Sequence, residues 1–441
     1  MAVEHDTTTI GNLLGDADRQ KLVLPNFQRE FVWALDAQRR LVASLLADVP
    51  IGAVLLLHGQ PDDYVSRRIA LMQDAAPTPE CTYLLDGQQR LSTLAVALSS
   101  PFNRGDPWKA TWDSLPAKLR YVWRLRVVPL EQEEDIFGYT NLIMPDRMDV
   151  EPDELAGFLA PARVLVKEEI SEKAWYHPNW GVAIPETERR LQIAMAAAKE
   201  GLVPLWGLRE EDEFRLVDKS LQIIAGQRRT ILHATANFDE TPDLYMSLRD
   251  ADAMLPADPK NASTAQIDQA FSSLAERWRN AVLTQIKAML KRTAPTISLQ
   301  RDDVARAVAI FEVINQGGTP LTPFDLIVAK NARHAGAKNL SQMLITRLQT
   351  AAVPVNQAAW FQPGGTPSFS SWNIEGRDIC VSNGSLTSAF KNAFLNLLSL
   401  HFHSEKASVD ALDVKHIKRA AILSIPRRIS RKDGLTSQTA C

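Results

Sequence analysis

Cysteine is scarce in this 441-residue chain: Cys81, Cys380 and Cys441 lie far apart and form no Cys-x-x-Cys pair. That spacing excludes a zinc knuckle and a disulfide framework, and it fits a reducing cytoplasm. Long hydrophobic runs are also lacking. No window approaches the roughly 18 consecutive apolar residues of a membrane span, and the N-terminus, MAVEHDTTTIGNLL, has no basic stretch leading into an apolar one. The chain therefore reads as cytoplasmic and untargeted. There is no Gly-x-x-x-x-Gly-Lys-Ser/Thr string, which disfavours a P-loop mechanism. Nor does charge of one sign dominate, since 49 Lys and Arg face 52 Asp and Glu for a formal net charge of -3. A whole-surface attraction to nucleic acid is excluded by that balance, so any DNA contact must be regional. What the chain does have, 45% hydrophobic and 23% charged residues, suffices for at least one full core and leaves room for two or three domains.

The first hundred residues alternate between strand and helix periods, as a compact α/β unit would. Lys21 to Leu24 is a short apolar strand closed by Pro25. Asp36 is placed to cap a helix running to about Ala47, because Leu41, Val42, Leu45 and Leu46 share one stripe at helical spacing. Ile51 to Leu57 (IGAVLLL) reads as a buried strand, and Thr82 to Leu85 as another that enters a helix through Gly87. YVWRLRVV, further on, alternates as a half-exposed strand. From 150 to 290 the signal is helical, in stretches such as ERRLQIAMAAAKEGL and IDQAFSSLAERWRNAVLTQIKAMLKR. Thr296 to Leu299 is a strand candidate before a helix over 302–314 that stops at Asn315-Gln316-Gly317-Gly318. The chain beyond about 336 is helical again, broken by the Gly-, Pro- and Ser-rich stretch 362–371. The fold class expected is mixed α/β (α+β). Its organisation reads as a core over 1–145, a helical insertion over 146–290, a returning core segment over 291–335 and a helical region over 336–441.

Three segments could carry chemistry. Asp86-Gly87-Gln88-Gln89-Arg90 sits where a strand ends and a helix begins, so unpaired amides and the positive end of the helix dipole converge on an anion site. Gly87 allows close backbone approach, and Arg90 offers a planar fork of donors. Asp86 is the natural magnesium ligand or water-orienting carboxylate, the Gln88 and Gln89 amides can position a water or a phosphate oxygen, and Ser92 and Thr93 can add hydroxyls. Equally, Asp86 can simply cap the helix, with Gln-Gln-Arg its solvated first turn. In LPNFQREFVW, Gln28 and Arg29 interleave with Phe27, Phe31 and Trp33, either as a base platform beside a phosphate clamp or as aromatics of the core. In FEVINQGGTPLTPFDL, Asn315 can face a ligand, or the segment can be a helix end with Thr322 capping the next helix.

In combination these three segments, with IGAVLLL between the first two, resemble the N-terminal domain of GmrSD-type, modification-dependent restriction enzymes. The likeness covers about 10–100 and 295–335, and it implies a fold similar to ParB and sulfiredoxin. It further implies that Asp86, Gln88, Gln89 and Arg90 support NTP binding and magnesium-dependent hydrolysis, with Gln28 and Arg29 opposite. In the family such activity is linked to sensing modified or foreign DNA and to defence against phage. A non-hydrolysing DNA-binding or regulatory module and a direct endonuclease are the alternatives. The sequence departs from members that continue into a His-Asn-His nuclease domain: His401 and His403 form an isolated pair, and His416 lacks the accompanying pattern. A separate nuclease subunit, or a truncated member, would account for this, and a homo-oligomer is compatible with either. Lys415, Lys418, Arg419, Arg427, Arg428, Arg431 and Lys432 in the tail can grip a phosphate backbone or form a solvated helix end.

Overall fold

The computed structural model describes residues 4–25, 28, 31–61, 63–64, 66–70, 76–100, 115–130, 134–145, 150–163, 186–301, 324, 340–350, 352–354, 371–373, 381–382 and 385–404. Arg29, Phe27, the expected helix over 302–314, Asn315 with its turn, and the basic tail lie outside the described residues.

The architecture is mixed α/β, as the alternating periods imply. Six strands form one sheet: β1 (Glu4–Thr9), β2 (Leu22–Pro25), β3 (Val54–Gly59), β4 (Ser66–Arg67), β5 (Cys81–Asp86) and, much later in the chain, Thr293–Leu299. The short strands between are β6 (Tyr121–Val122), β7 (Arg124–Arg126), β8 (Ala162–Arg163) and β9 (Leu202–Pro204), which makes Thr293–Leu299 β10. The sheet order is β1-β10-β3-β5-β2-β4. β10 runs parallel to β3 and β2 parallel to β5, while β3 and β5 are antiparallel with an irregularity at Leu55 and Leu56.

Strand alternation sends successive side chains to opposite faces. On β5, Leu84 joins the cluster built with α1 (Ile10–Asp18), α2 (Leu35–Leu46) and α3 (Gln88–Leu98), whereas Cys81, Tyr83 and Leu85 join a second cluster on the other face. Asp86, in step with Leu84, therefore ends the strand on the side where α3 begins. The second cluster is closed by Phe324 and by two helices near the end of the described chain, Leu340–Thr350 and Ser388–Ser404. Two small ribbons that periodicity did not signal, Ala352–Pro354 with Ser371–Asn373 and Val381–Ser382 with Ser385–Leu386, lie between those helices in sequence.

YVWRLRVV forms β6 and β7, with Trp123, Leu125 and Val127 fully buried and both arginines of β7 half-exposed, as its alternation indicates. Four more helices follow: α4 (Pro152–Gly157), α5 (Glu186–Lys199), α6 (Glu211–Thr235) and α7 (Pro242–Ala251). The 28-residue helix α8 (Thr264–Lys291) is started by a full capping box between Ser263 and Gln266, a device that satisfies two of the orphan amides of its first turn. Its stripe of Phe271, Leu274, Trp278, Val282, Ile286 and Met289 is buried. Each such side chain contributes on the order of 1.5–3 kcal/mol of apolar burial. This stripe lies in the same buried cluster as α1 and α2, so the helical segment and the sheet's helices share one core. Trp278 adds a directional tie, its indole N–H donating to the Phe137 carbonyl at 2.7 Å.

One capping expectation is corrected. The N-cap of α2 is Ala34 in extended conformation, without a side-chain cap, and Asp36 lies in the first turn, 3.7 Å from Arg39. An acidic group there still opposes the helix dipole favourably.

Candidate functional site

The corner between β5 and α3 is built by Gly87. It is the N-cap of α3 at φ +106, in the left-handed region, and supplies no side-chain cap. Only glycine takes that conformation without strain, so the Asp-Gly pair is a backbone requirement here. The first bond of the helix runs from the Leu91 amide to the Gly87 carbonyl at 2.8 Å, and the N–H groups before it stand outside the helical ladder.

This geometry overturns the reading of Asp86 as a helix cap followed by a solvated first turn. Asp86 does not cap α3: its Oδ2 instead accepts from Arg90 Nη2 at 2.8 Å, with the two side chains 24% and 16% exposed. Asp86 Oδ1 has no partner among the described residues. The first turn is not solvated either, since Gln88 and Gln89 are 8% and 7% exposed.

The two glutamines have opposite fates. Gln89 Oε1 accepts from the amides of Val32 and Trp33, at 2.8 and 3.2 Å, and so ties the segment before α2 to α3. Gln28 Nε2 likewise donates to the carbonyls of Leu84 and Leu85, at 3.0 and 2.6 Å, and Arg67 donates to the Gln28 carbonyl. Gln28 and Gln89 therefore hold the frame of the corner. Gln88, by contrast, makes no side-chain hydrogen bond with any described residue. Neither does Ser92, one turn on and 3% exposed. Residues four apart share a helix face, so α3 sets the Gln88 carboxamide and the Ser92 hydroxyl side by side on two largely buried residues. Thr93 is spent internally, donating to the Gln89 carbonyl at 2.8 Å.

Arg90 is also heavily engaged. Besides Asp86 it donates to the carbonyls of Ile51, from Nη1 at 2.9 Å, and of Ala53, from Nη2 at 2.7 Å. These two residues flank Gly52, at φ +89, in the turn that leads into β3. The sequence reading assigned 51–53 to the strand and so missed them; a glycine just ahead of an apolar run was the available signal.

Of the remaining expected contacts, Phe31 is 7% exposed within the apolar core, and Trp33 packs against the same core, half-buried. Phe31 is thus a core residue, as aromatics at such spacing usually are. Among the described residues no group of three His, Cys, Asp or Glu side chains is gathered as a preformed metal cage. His401 is exposed and His403 stacks edge-on to Phe402. No described helix is long and apolar enough to cross a membrane.

The profile of the GmrSD restriction endonuclease N-terminal domain matches residues 10–331. The chain belongs to this family. The match runs through the corner, the helical segment and β10, and it places the protein among restriction-system components. An uncharacterized protein of Methanocaldococcus jannaschii is 34% identical over 107 residues, which is 23% of this chain and 18% of that relative. The chain thus spans less than a fifth of the relative's length.

Proposed function

We propose that the β5–α3 corner binds a nucleoside triphosphate and hydrolyses it with magnesium, and that this turnover serves DNA sensing in a GmrSD-type, modification-dependent restriction system. The observation that carries the reading is Gln88, a largely buried side chain whose amide bonds no described residue, at a helix start where Asp86 keeps one carboxylate oxygen open.

Each group then has a task. The amides at the start of α3 and the helix dipole receive phosphate oxygens. Gln88 and Ser92 give neutral hydrogen bonds that orient the ligand without adding charge. Asp86 Oδ1 suits a magnesium ion that arrives with the nucleotide, because that ion commonly takes one or two carboxylates and fills its remaining positions with phosphate and water. Such an ion would neutralise charge on the phosphates. Gln28 and Gln89 keep the corner in shape. A nucleotide-binding relative of ParB and sulfiredoxin is the fold this reading implies, and DNA, with a separate His-Asn-His nuclease subunit, would be its partners.

Phosphate release from each NTP, with plain and modified DNA, tests the proposal. Release that falls at least a hundredfold in Asp86→Ala, with the fold kept, supports it. Tight nucleotide binding with no release in any condition would instead identify a regulatory module, and nicking of plasmid by the purified chain would identify a nuclease.

A further inference from the structure

The planar guanidinium of Arg90 grips an anion through one of two forks, end-on through Nη1 and Nη2 or side-on through Nε and Nη2. Both forks use Nη2. Both hydrogens of Nη2 are already committed, one to the Ala53 carbonyl at 2.7 Å and one to Asp86 Oδ2 at 2.8 Å, while Nη1 donates to the Ile51 carbonyl at 2.9 Å. A bidentate hold on phosphate would have to break a bond that fixes Asp86 or the turn before β3.

The turn itself is built around this side chain. Gly52 lies at φ +89, and a Cβ placed there would collide with Arg90 Nη1. The other glycine of the corner, Gly87, has only ordinary contacts: a Cβ there would stand 3.5 Å from the Val54 methyls and 3.7 Å from Arg90 Nη2. Gly52 therefore meets two demands at once, a left-handed backbone and room for a guanidinium, and the second has nothing to do with its own conformation.

We propose that Arg90 is a positioning residue, a strut that pins the Ile51–Ala53 turn to the corner and holds Asp86 by Oδ2 so that Oδ1 faces the ligand, with Gly52 leaving the space it occupies. The assignment of a ligand to Oδ1 rests on the NTPase reading above; the strut itself does not. Arg90 acts through Asp86 and the turn rather than by touching phosphate. Its loss should lower the rate of the chemical step more than the affinity.

Two measurements on the full chain test this independently. The first needs no nucleotide: amide hydrogen exchange over residues 50–57 in wild type, Arg90→Ala, Arg90→Lys, Gly52→Ala and the Gly52→Ala/Arg90→Ala double variant. Exchange there should quicken by about tenfold or more in Arg90→Ala and in Gly52→Ala, and the double variant should be no faster than the quicker single, since neighbours acting as one unit are not additive. Arg90→Lys, able to reach one acceptor at a time, should fall between wild type and Arg90→Ala. Unchanged exchange in Arg90→Ala, or additive effects in the double variant, would overturn the strut. The second is the kinetic split. Arg90→Ala should lower kcat by about a hundredfold, the scale of an ångström-sized misplacement, with KM within threefold and partial recovery in Arg90→Lys. A KM raised tenfold with kcat kept would make Arg90 a phosphate ligand and refute the positioning role. Should wild type release no phosphate at all, the NTPase reading fails and the exchange result alone judges the strut.

Discussion

Gln88 and Gln89 are neighbours of one type, equally buried, yet their replacement should have opposite consequences. Methionine at either position keeps length and apolar volume and removes the amide. In Gln89→Met, the amides of Val32 and Trp33 lose the acceptor they share at 2.8 and 3.2 Å. Each backbone donor left without a partner costs about 1–3 kcal/mol, so a loss of about 2–4 kcal/mol is expected, reduced from the full sum because the segment is only part-buried. In Gln88→Met no hydrogen bond to a described residue is lost, and the amide of a largely buried side chain is removed. Stability should then change by less than about 1 kcal/mol, since the amide removed holds no described group in place. Urea unfolding followed by far-UV circular dichroism reads the difference as a shift in midpoint at constant slope. Isothermal titration with a non-hydrolysable NTP reads the other half: Gln88→Met should weaken binding by about tenfold, the value of one or two lost hydrogen bonds. Equal destabilisation by the two variants would show that Gln88 has a structural partner, and the argument for a ligand at its amide would collapse.

Two further outcomes follow from other parts of the molecule. Arg209, its side chain 10% exposed, donates to Ser99 Oγ at 2.6 Å and pairs with Asp18, while Glu210 accepts from the Ser100 amide at 3.3 Å, so the entry to α6 clamps the far end of α3. Arg209→Met should cost about 3 kcal/mol by leaving Asp18 and Ser99 without that partner, measured as the same urea midpoint; a change below about 0.5 kcal/mol would show the clamp to be dispensable. On the opposite face of the sheet, burial pushes the Cys81 thiol above its ordinary value of 9.0, and burial also raises the Tyr83 phenol. A raised pKa means the folded state keeps a proton that the unfolded chain gives up, so stability is intact below the ordinary value and declines as pH climbs past it toward the folded value. The urea midpoint should therefore fall between pH 8 and pH 10.5, and less steeply in Cys81→Ala; identical slopes in the two proteins would refute the attribution to the thiol.

How far the sequence revealed this corner depends on the kind of interaction involved. Strand and helix periods are local, so β5, α2, α5 and α8 were legible to within a few residues, and the Asp-Gly pair announced a strand-to-helix turn. That the chain turns at Gly87, where only glycine takes the observed φ of +106 without strain, agrees with the turn read there, whereas the second left-handed glycine of the corner, Gly52, was read as strand. What stayed hidden is every bond across distant residues. Gln28 reaches the carbonyls of Leu84 and Leu85 over more than fifty positions, Gln89 reaches back to Val32, and Arg90 reaches Ile51 and Ala53. All three side chains are polar residues in a motif that invites a ligand, and only the fold reveals that their hydrogen-bonding capacity is spent on backbone. A glutamine tied to two carbonyls and a glutamine tied to none of the described residues have the same letter. The distinction matters for function because a motif of this kind contains two populations, groups that shape the pocket and groups that wait for what enters it. Sequence pattern selects both alike, since losing either would empty the site. Hydrogen-bond accounting separates them, and among the described residues it leaves Gln88, Ser92 and one oxygen of Asp86 as the groups of this corner with capacity to spare.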